Sequence, residues 1–293
     1  MFDLGVIDAI GADPTAYAAS SLGLGLLTGS FLNVVILRLP RRLMWEWKKD
    51  ARELLELPQP YDDPQPPGIV VEASHCPHCG HKLAAWENIP LLSWIALRGR
   101  CRKCKAPISI QYPAVELATG LLFLGCALAY GYTAQALFGM VLMAFLVALS
   151  GIDLRTKYLP DELTGLLLWI GLLASLVPVF VRPRDAMVGA AAGYLSLWGV
   201  YWLYRLATKK EGLGAGDFKL LAALCAWFGP HALLPILVLA SFTGAVVGSA
   251  WLLLSRRGRD TEIPFGPYLA MGGIIQYFLH LDAAQMLRWF APG

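Results

Sequence analysis

Long apolar runs alternate with short polar connections along almost the whole chain, and eight of these runs are candidate membrane spans. They cover residues 16–37, 113–132, 134–152, 163–181, 186–206, 218–228, 231–254 and 265–281. Roughly 20 helical residues cross a hydrocarbon core of about 30 Å. The run at 218–228 is too short for a full crossing, so we expect a partial or broken span beside protein or water. The pattern predicts an all-α polytopic membrane protein with about eight transmembrane helices.

Composition supports the same class. The 293 residues are 57% hydrophobic and 15% charged, whereas roughly 25% are charged in an ordinary soluble domain. This excludes a soluble globular enzyme and makes membrane lipid the surrounding medium. The net charge of +3 is too small to indicate a nucleic-acid partner. Residues 1–17 carry three aspartates and no Lys or Arg, the reverse of a cleavable signal, so we expect the first span to be a retained anchor.

One sizeable polar segment interrupts the apolar pattern. It covers residues 38–112 and contains a proline-rich connector at 58–67. We therefore predict three parts: a first transmembrane helix with its N-terminal segment (1–37), a cytosolic domain (38–112) and a seven-span membrane domain (113–293). With the segment 38–112 in the cytosol, nine of the twelve basic residues beyond residue 112 also face the cytosol, as the positive-inside rule requires.

Four cysteines in the polar segment form two CxxC pairs. Cys76 and Cys79 lie in CPHC, and Cys101 and Cys104 lie in CRKC. Two such pairs bring four thiolates together, which is typical of a structural zinc site. Disulfides or a redox dithiol are the alternative, and cytosolic exposure argues against them. Four sulfur ligands leave no position for catalytic water, so we expect the metal to stabilise the fold, with the nearby histidines 75, 78 and 81 outside the coordination sphere.

Two aspartates stand at span ends, both on the predicted cytosolic edge. Asp153 follows the third apolar run, and Asp217 ends the glycine-rich stretch GLGAGD before the short sixth run. Ionisable groups placed there are functional candidates. Helix capping is the alternative for Asp217, and also for Asp161 at the head of the fourth run. Capping does not explain Asp153, since a carboxylate at a helix C-terminus faces the negative end of the dipole.

Two carboxyl groups that reach one water can hydrolyse a peptide bond without metal. Close like charges do not both ionise cheaply, so such a pair shares one proton. Gly212, Gly214 and Gly216 would let an extended substrate backbone approach Asp217. GLGAG also resembles a nucleotide-binding loop, but it follows a membrane span rather than a strand and lacks a following acidic partner for a ribose.

Several segments together resemble one family, the type IV prepilin peptidases, which are GxGD aspartic proteases. The matching segments are GSFLNVVILRLPRR (29–42), the two CxxC pairs, ENIPLLSWIALRGRC (87–101), DLRTKYLPDELT (153–164), GAGDFKLLAALCAWFG (214–229) and PFGPYLA (264–270). The resemblance implies that Asp153 and Asp217 are the catalytic pair. It also implies that type IV prepilins or pseudopilins are the substrates, cleaved after a short basic leader at the cytoplasmic face of the bacterial inner membrane.

The same resemblance implies a second activity, N-methylation of the new N-terminal residue with S-adenosylmethionine as co-substrate. No S-adenosylmethionine-binding residues can be derived from the sequence. A proton-coupled transporter with a structural zinc module is the alternative function. The positions of Asp153 and Asp217 argue against a transporter, because both are predicted at one membrane edge and transporter sites usually lie near the midplane. A non-enzymatic assembly scaffold would leave the GxGD sequence without an explanation.

Overall fold

Nine α-helices make up most of the part of the chain that the computed structural model describes, namely residues 13–56, 63–70, 72–210, 212, 214–255 and 264–282. In chain order they are α1 (Pro14–Leu54), α2 (Leu92–Ala96), α3 (Gln111–Tyr130), α4 (Ala134–Thr156), α5 (Asp161–Leu176), α6 (Pro183–Thr208), α7 (Ala215–Phe228), α8 (Leu233–Ser255) and α9 (Gly266–Leu279). Short 3₁₀ helices cover Ala85–Asn88 and Pro230–Ala232. Within these ranges, extended pairing is limited to two isolated β-bridges. The predicted N-terminal segment 1–12, residues 58–62 of the proline-rich connector and the basic positions 256, 257, 259 and 288 lie outside the described residues.

The predicted all-α polytopic class is confirmed. Among the residues that the structure describes, five helical stretches are long and apolar enough to cross a membrane: α1, α3, α4, α6 and Pro230–Ala250. The other three predicted runs coincide with α5, α7 and α9, which have 16, 14 and 14 residues. At about 1.5 Å per residue these helices are roughly 21 to 24 Å long, shorter than the hydrocarbon core. Helix α7 corresponds to the run that the sequence predicted to be short.

The chain divides into two compact units between Tyr132 and Thr133. The sequence prediction grouped the second apolar run with the later spans, whereas this division leaves α3 in the first unit, where it packs against α1. A Cβ atom at Gly29 would lie 2.7 Å from the Cα atom of Glu116, so the absence of a side chain at Gly29 lets α3 approach α1 closely. Helix α1 also runs through Pro40 to Leu54, well beyond the predicted span end at residue 37.

In the second unit, the short helix α7 is enclosed by its neighbours. Every residue from Leu220 to Phe228 is buried, as expected for a helix that is apolar on all sides. Helices α5, α6 and α9 pack on α7, and each places glycine against it, at Gly171, at Gly189 with Gly193, and at Gly273. The Trp227 indole N–H donates to the carbonyl oxygen of Leu167 at 2.9 Å. Dense packing thus fixes the helix whose first turn carries Asp217.

Candidate active site and metal centre

Asp153 and Asp217 lie in the second unit, on two different helices. Asp153 is in the last turn of α4 and Asp217 in the first turn of α7. Both are buried, with 4% and 7% of their surface exposed. The segments that hold the two carboxyl groups meet at Leu159, which contacts Gly216, next to Asp217, and Gly266, whose N–H bonds to Asp153. The structure therefore brings together the two acids that the sequence singled out.

The carboxyl group of Asp153 has a partner far away in the chain. The backbone N–H of Gly266 donates to its Oδ2 at 2.9 Å. Gly266 is the first residue of α9, where backbone N–H groups have no partner within the helix. The bond thus supplies Asp153 with a hydrogen-bond donor at a position where the dipole of its own helix is unfavourable.

Leu159, in the connection between α4 and α5, fills the space beside both acidic segments and is 4% exposed. A Cβ atom at Gly216 would lie 2.7 Å from the Cβ atom of Leu159, and a Cβ atom at Gly266 would lie 3.2 Å from its Cδ1 atom. Leu159 therefore contacts the residue before Asp217 and the residue bonded to Asp153. One buried side chain links the backbone segments that hold the two carboxyl groups.

The two glycines proposed to support the site occupy different surroundings. Gly214 is the N-cap of α7, and its carbonyl oxygen accepts the N–H of Asp217 at 3.2 Å. An added Cβ at Gly214 would meet only the Oδ2 atom of Asp217, at an ordinary 3.6 Å, whereas Gly216 is closely packed on Leu159. Gly216 is therefore a packing requirement, and Gly214 leaves room next to the carboxyl group of Asp217.

The capping interpretation of Asp217 and Asp161 is wrong. The N-cap positions of α7 and α5 are Gly214 and Pro160, and neither helix has a side-chain cap. Asp161 lies in the first turn of α5, where its Oδ2 atom accepts a hydrogen bond from the Nζ atom of Lys219 at 2.6 Å. This ion pair joins the starts of α5 and α7 at an exposed edge.

The four cysteines of the first unit form a compact group. Their sulfur atoms all lie within 4.8 Å of one another. The Cys76 and Cys104 sulfurs are 3.8 Å apart, and those of Cys79 and Cys101 are 4.0 Å apart. A tetrahedral zinc ion with Zn–S bonds of about 2.3 Å requires sulfur separations of about 3.8 Å. The residues present therefore fit such an ion.

The two CxxC segments have the same local fold. Isolated bridges pair His75 with Lys82 and Arg100 with Pro107. The residue after each pair adopts a left-handed conformation, at Gly80 with φ 66° and at Lys105 with φ 61°. Such turns direct backbone N–H groups at the sulfur atoms. The N–H groups of Cys104 and Lys103 lower the pKa of the Cys101 thiol to about 6, whereas burial and the three neighbouring thiols raise the pKa of the Cys104 thiol to about 11.

The group that could hold a metal contains the cysteines and no histidine, among the described residues. His81 instead lies 3.2 Å from the Oε2 atom of Glu87. The backbone N–H of Ala84 donates to the same oxygen at 2.8 Å and, with His81, lowers the pKa of Glu87. Glu87 therefore holds the turn between the two CxxC segments.

Comparison with known proteins gives two family matches, one in each unit. Residues 24–130 match the bacterial peptidase A24 N-terminal domain, and residues 140–249 match the type IV leader peptidase family. A prepilin leader peptidase/N-methyltransferase of Xanthomonas campestris pv. campestris is 56% identical over 272 residues, which cover 93% of this chain and 94% of the relative. The chain belongs to the type IV leader peptidase family. The resemblance found in the sequence is confirmed.

Other family members extend the same similarity. Proteins of the same name from Stutzerimonas stutzeri and Pseudomonas aeruginosa are 48% and 47% identical to this chain. The alignments cover 91% and 92% of the chain and 92% and 93% of those relatives. No solved structure matches the chain. The likeness to these family members thus extends over nearly the full length of both proteins.

Sequence reasoning missed two residues of the candidate site in this family member, Gly266 and Leu159. Gly266 lies in PFGPYLA, a segment that supported the resemblance without receiving a role. Its Gly-Pro pair at a helix start was a usable signal, since Pro is favoured in the first turn and glycine permits close approach. Leu159 gave no signal, because an apolar residue between two helices has many possible contacts.

Proposed function

We propose that this chain is a membrane aspartic endopeptidase that removes the leader from type IV prepilins or pseudopilins and then methylates the new N-terminal amine. Asp153 and Asp217 are the proposed catalytic residues, and Gly214 and Gly216 support them. The observation that carries the proposal is the pair of buried carboxyl groups on separate helices, with Leu159 in contact both with Gly216, next to Asp217, and with Gly266, which bonds to Asp153. The names of the relatives support the substrate and both activities.

In the proposed hydrolysis, each carboxyl group of the pair takes up one proton and gives up one proton. The oxygen of a water molecule bonds to the scissile carbonyl carbon while the ionised member of the pair takes one water proton. The protonated member gives its proton to the carbonyl oxygen, which produces a neutral diol. The C–N bond then breaks: the first carboxyl group gives its proton to the leaving nitrogen, and a diol hydroxyl returns a proton to the second.

The proposed location of this chemistry is the cytosolic edge of the bacterial inner membrane. Asp153 is followed by Arg155 and Lys157, and Asp217 lies between Lys210 and Lys219. Basic residues at span ends favour the cytosolic side. Both acids lie at helix ends, Asp153 in the last turn of α4 and Asp217 in the first turn of α7. A substrate helix that reaches the acids there would have to unwind to expose a peptide bond.

The proposed zinc ion is structural. Cys76, Cys79, Cys101 and Cys104 would fill its coordination sphere, so zinc would stabilise the two CxxC turns and take no part in the reaction. S-adenosylmethionine is the proposed methyl donor, which follows from the names of the relatives and not from a set of residues. The proposed partners are thus the prepilins, membrane lipid and this co-substrate.

The experiment is a cleavage assay on purified full-length protein with a prepilin substrate, comparing wild type with Asp153→Asn and Asp217→Asn. Each variant keeps the side-chain size and removes the ionisable group, so we expect cleavage to become undetectable. Methylation of an already cleaved substrate should persist, which shows that the protein is folded. Asp161→Asn is the matched control, since its carboxylate lies at the exposed ion pair with Lys219. Cleavage by either catalytic-position variant at a rate near wild type would overturn the proposal.

A further inference from the structure

The backbone N–H of Gly266 bonds to Asp153, one of the two candidate catalytic residues, although the proposed proton transfers do not involve Gly266. We propose that Gly266 is a positioning residue, which fixes the orientation of the Asp153 carboxyl group through its N–H and through its lack of a side chain. The inference rests on the proposed function, because it concerns how one of the two proposed catalytic groups is held.

The hydrogen bond from Gly266 restrains the carboxyl group of Asp153. The donor and acceptor lie 113 residues apart in the chain, and the bond of 2.9 Å is buried. An N–H at the start of a helix carries partial positive charge, and its bond to a carboxylate is stronger than a bond between neutral groups. The bond holds Oδ2 of Asp153 against the start of α9 and limits rotation of the carboxyl group.

Helix α9 is bonded to α4 at both ends and so cannot easily slide along it. At the start of α9, Gly266 bonds to Asp153 near the end of α4. Near the other end of α9, the Tyr277 hydroxyl donates to the carbonyl oxygen of Gln135, in the first turn of α4, at 3.1 Å. The ring of Tyr277 packs on Gly139 of α4. Two bonds at opposite ends thus set the register between the helices and place the N–H of Gly266 at a defined point.

Close packing against Asp153 leaves no room for a side chain at residue 266. A Cβ atom at Gly266 would lie 2.7 Å from the Oδ2 atom of Asp153 and 3.2 Å from its Cγ atom. Both distances are shorter than an ordinary contact of at least 3.4 Å, so any side chain would push the carboxyl group away. Only glycine allows both the N–H bond and the observed carboxyl position. The added Cβ would also lie 3.2 Å from the Leu159 Cδ1 atom, but that atom is the end of a flexible side chain and can move. The steric requirement for glycine therefore comes from Asp153.

The test compares Gly266→Ala with Gly199→Ala in the full-length protein. An added Cβ at Gly199 has nothing within 4 Å, so the control makes the same chemical change in open space. A displacement of a reacting group by up to about 1 Å can cost about 100-fold in rate. We expect Gly266→Ala to lower kcat for leader cleavage by about 10- to 100-fold, with KM within twofold of wild type and methylation of a cleaved substrate unchanged. Gly199→Ala should cleave like wild type. An unchanged kcat in Gly266→Ala would overturn the proposal.

A second measurement does not depend on the folding of Gly266→Ala. The sequence contains three Phe-Gly pairs, so labelling Phe carbonyl carbon and Gly nitrogen selects only the amides of Gly139, Gly229 and Gly266 for NMR. The Gly266 amide proton should move upfield in Asp153→Ala, because it loses its acceptor, while the Gly229 amide should not move. An unmoved Gly266 signal would overturn the positioning role.

Failure of this inference is distinguishable from failure of the proposed function. Loss of cleavage in Asp153→Asn and Asp217→Asn together with full activity of Gly266→Ala would refute only the role of Gly266. Retained cleavage in the Asn variants would refute the catalytic assignment itself.

Discussion

Gly216→Ala tests whether the packing between α7 and Leu159 sets the position of Asp217. The added Cβ would lie 2.7 Å from the Cβ atom of Leu159, about 0.7 Å short of an ordinary contact. The backbone would have to move, since the opposing atom is the Cβ atom of Leu159, which is attached directly to the backbone. Asp217 is the next residue, so it would shift by a similar amount.

A shift of this size predicts a fall in kcat of about 10- to 100-fold, which is about 1.4 to 2.7 kcal/mol of lost transition-state stabilisation. The assay measures initial rates of leader cleavage from a purified prepilin in lipid or detergent. Gly199→Ala is the matched control, because its added Cβ has nothing within 4 Å and the residue lies outside the proposed site, and we expect it to keep wild-type kcat. A wild-type rate in Gly216→Ala, or an equal loss in Gly199→Ala, would contradict the positioning of Asp217 by Leu159.

Three further predictions concern the surroundings of the site. Trp227→Phe removes the buried bond to the Leu167 carbonyl oxygen and should destabilise the protein by about 1 to 2 kcal/mol in reversible unfolding in mixed micelles; unchanged stability would show that the bond contributes nothing. Asp161→Asn breaks the ion pair with Lys219, whose side chains are 58% and 36% exposed, so stability should change by less than about 1 kcal/mol and kcat by less than threefold. Cys104→Ser should release zinc measured by mass spectrometry of the purified protein, and full retention of the metal would contradict the four-cysteine site.

Local patterns in the sequence predicted the elements of the fold well. The apolar runs located the long helices, and the length of the run at 218–228 identified α7 as a short helix enclosed by protein. The CxxC spacing predicted the four-cysteine group. Each of these features depends on residues close together in the chain, where helix length and turn geometry are set by nearby atoms.

The end of α1 was harder to predict. The apolar run ends at residue 37, and Pro40 follows three residues later, a residue that removes a helix hydrogen bond. The helix nevertheless continues to Leu54. Arg42 pairs with Glu46 at 3.1 Å one turn further on, and Arg38 donates to the carbonyl oxygen of Gly68 at 2.7 Å. The second contact joins residues 30 apart and cannot be inferred from periodicity.

The candidate site shows the same limit. Asp153 and Asp217 were recognisable as acids at span ends, and their catalytic role stays a prediction. Gly266 and Leu159 received no role, because their contacts with the acidic segments depend on how α4, α7 and α9 pack. Helix packing is determined by many small contacts between surfaces, and a single sequence shows which face is apolar but not which partner it meets.

The proposed catalytic pair requires residues 153 and 217 to lie close together, which chemical cross-linking can measure. Cysteines would replace Asp153 and Asp217 in a chain whose Cys126 and Cys225 are changed to Ala, with a specific protease site inserted between α5 and α6. After reaction with a short bifunctional thiol reagent and cleavage at the new site, we expect the two fragments to stay joined on a denaturing gel. A chain with only one of the two new cysteines keeps the four zinc-site cysteines as well, and it should give separate fragments. Separate fragments in the double-cysteine chain, with both thiols shown to react, would contradict a shared catalytic site.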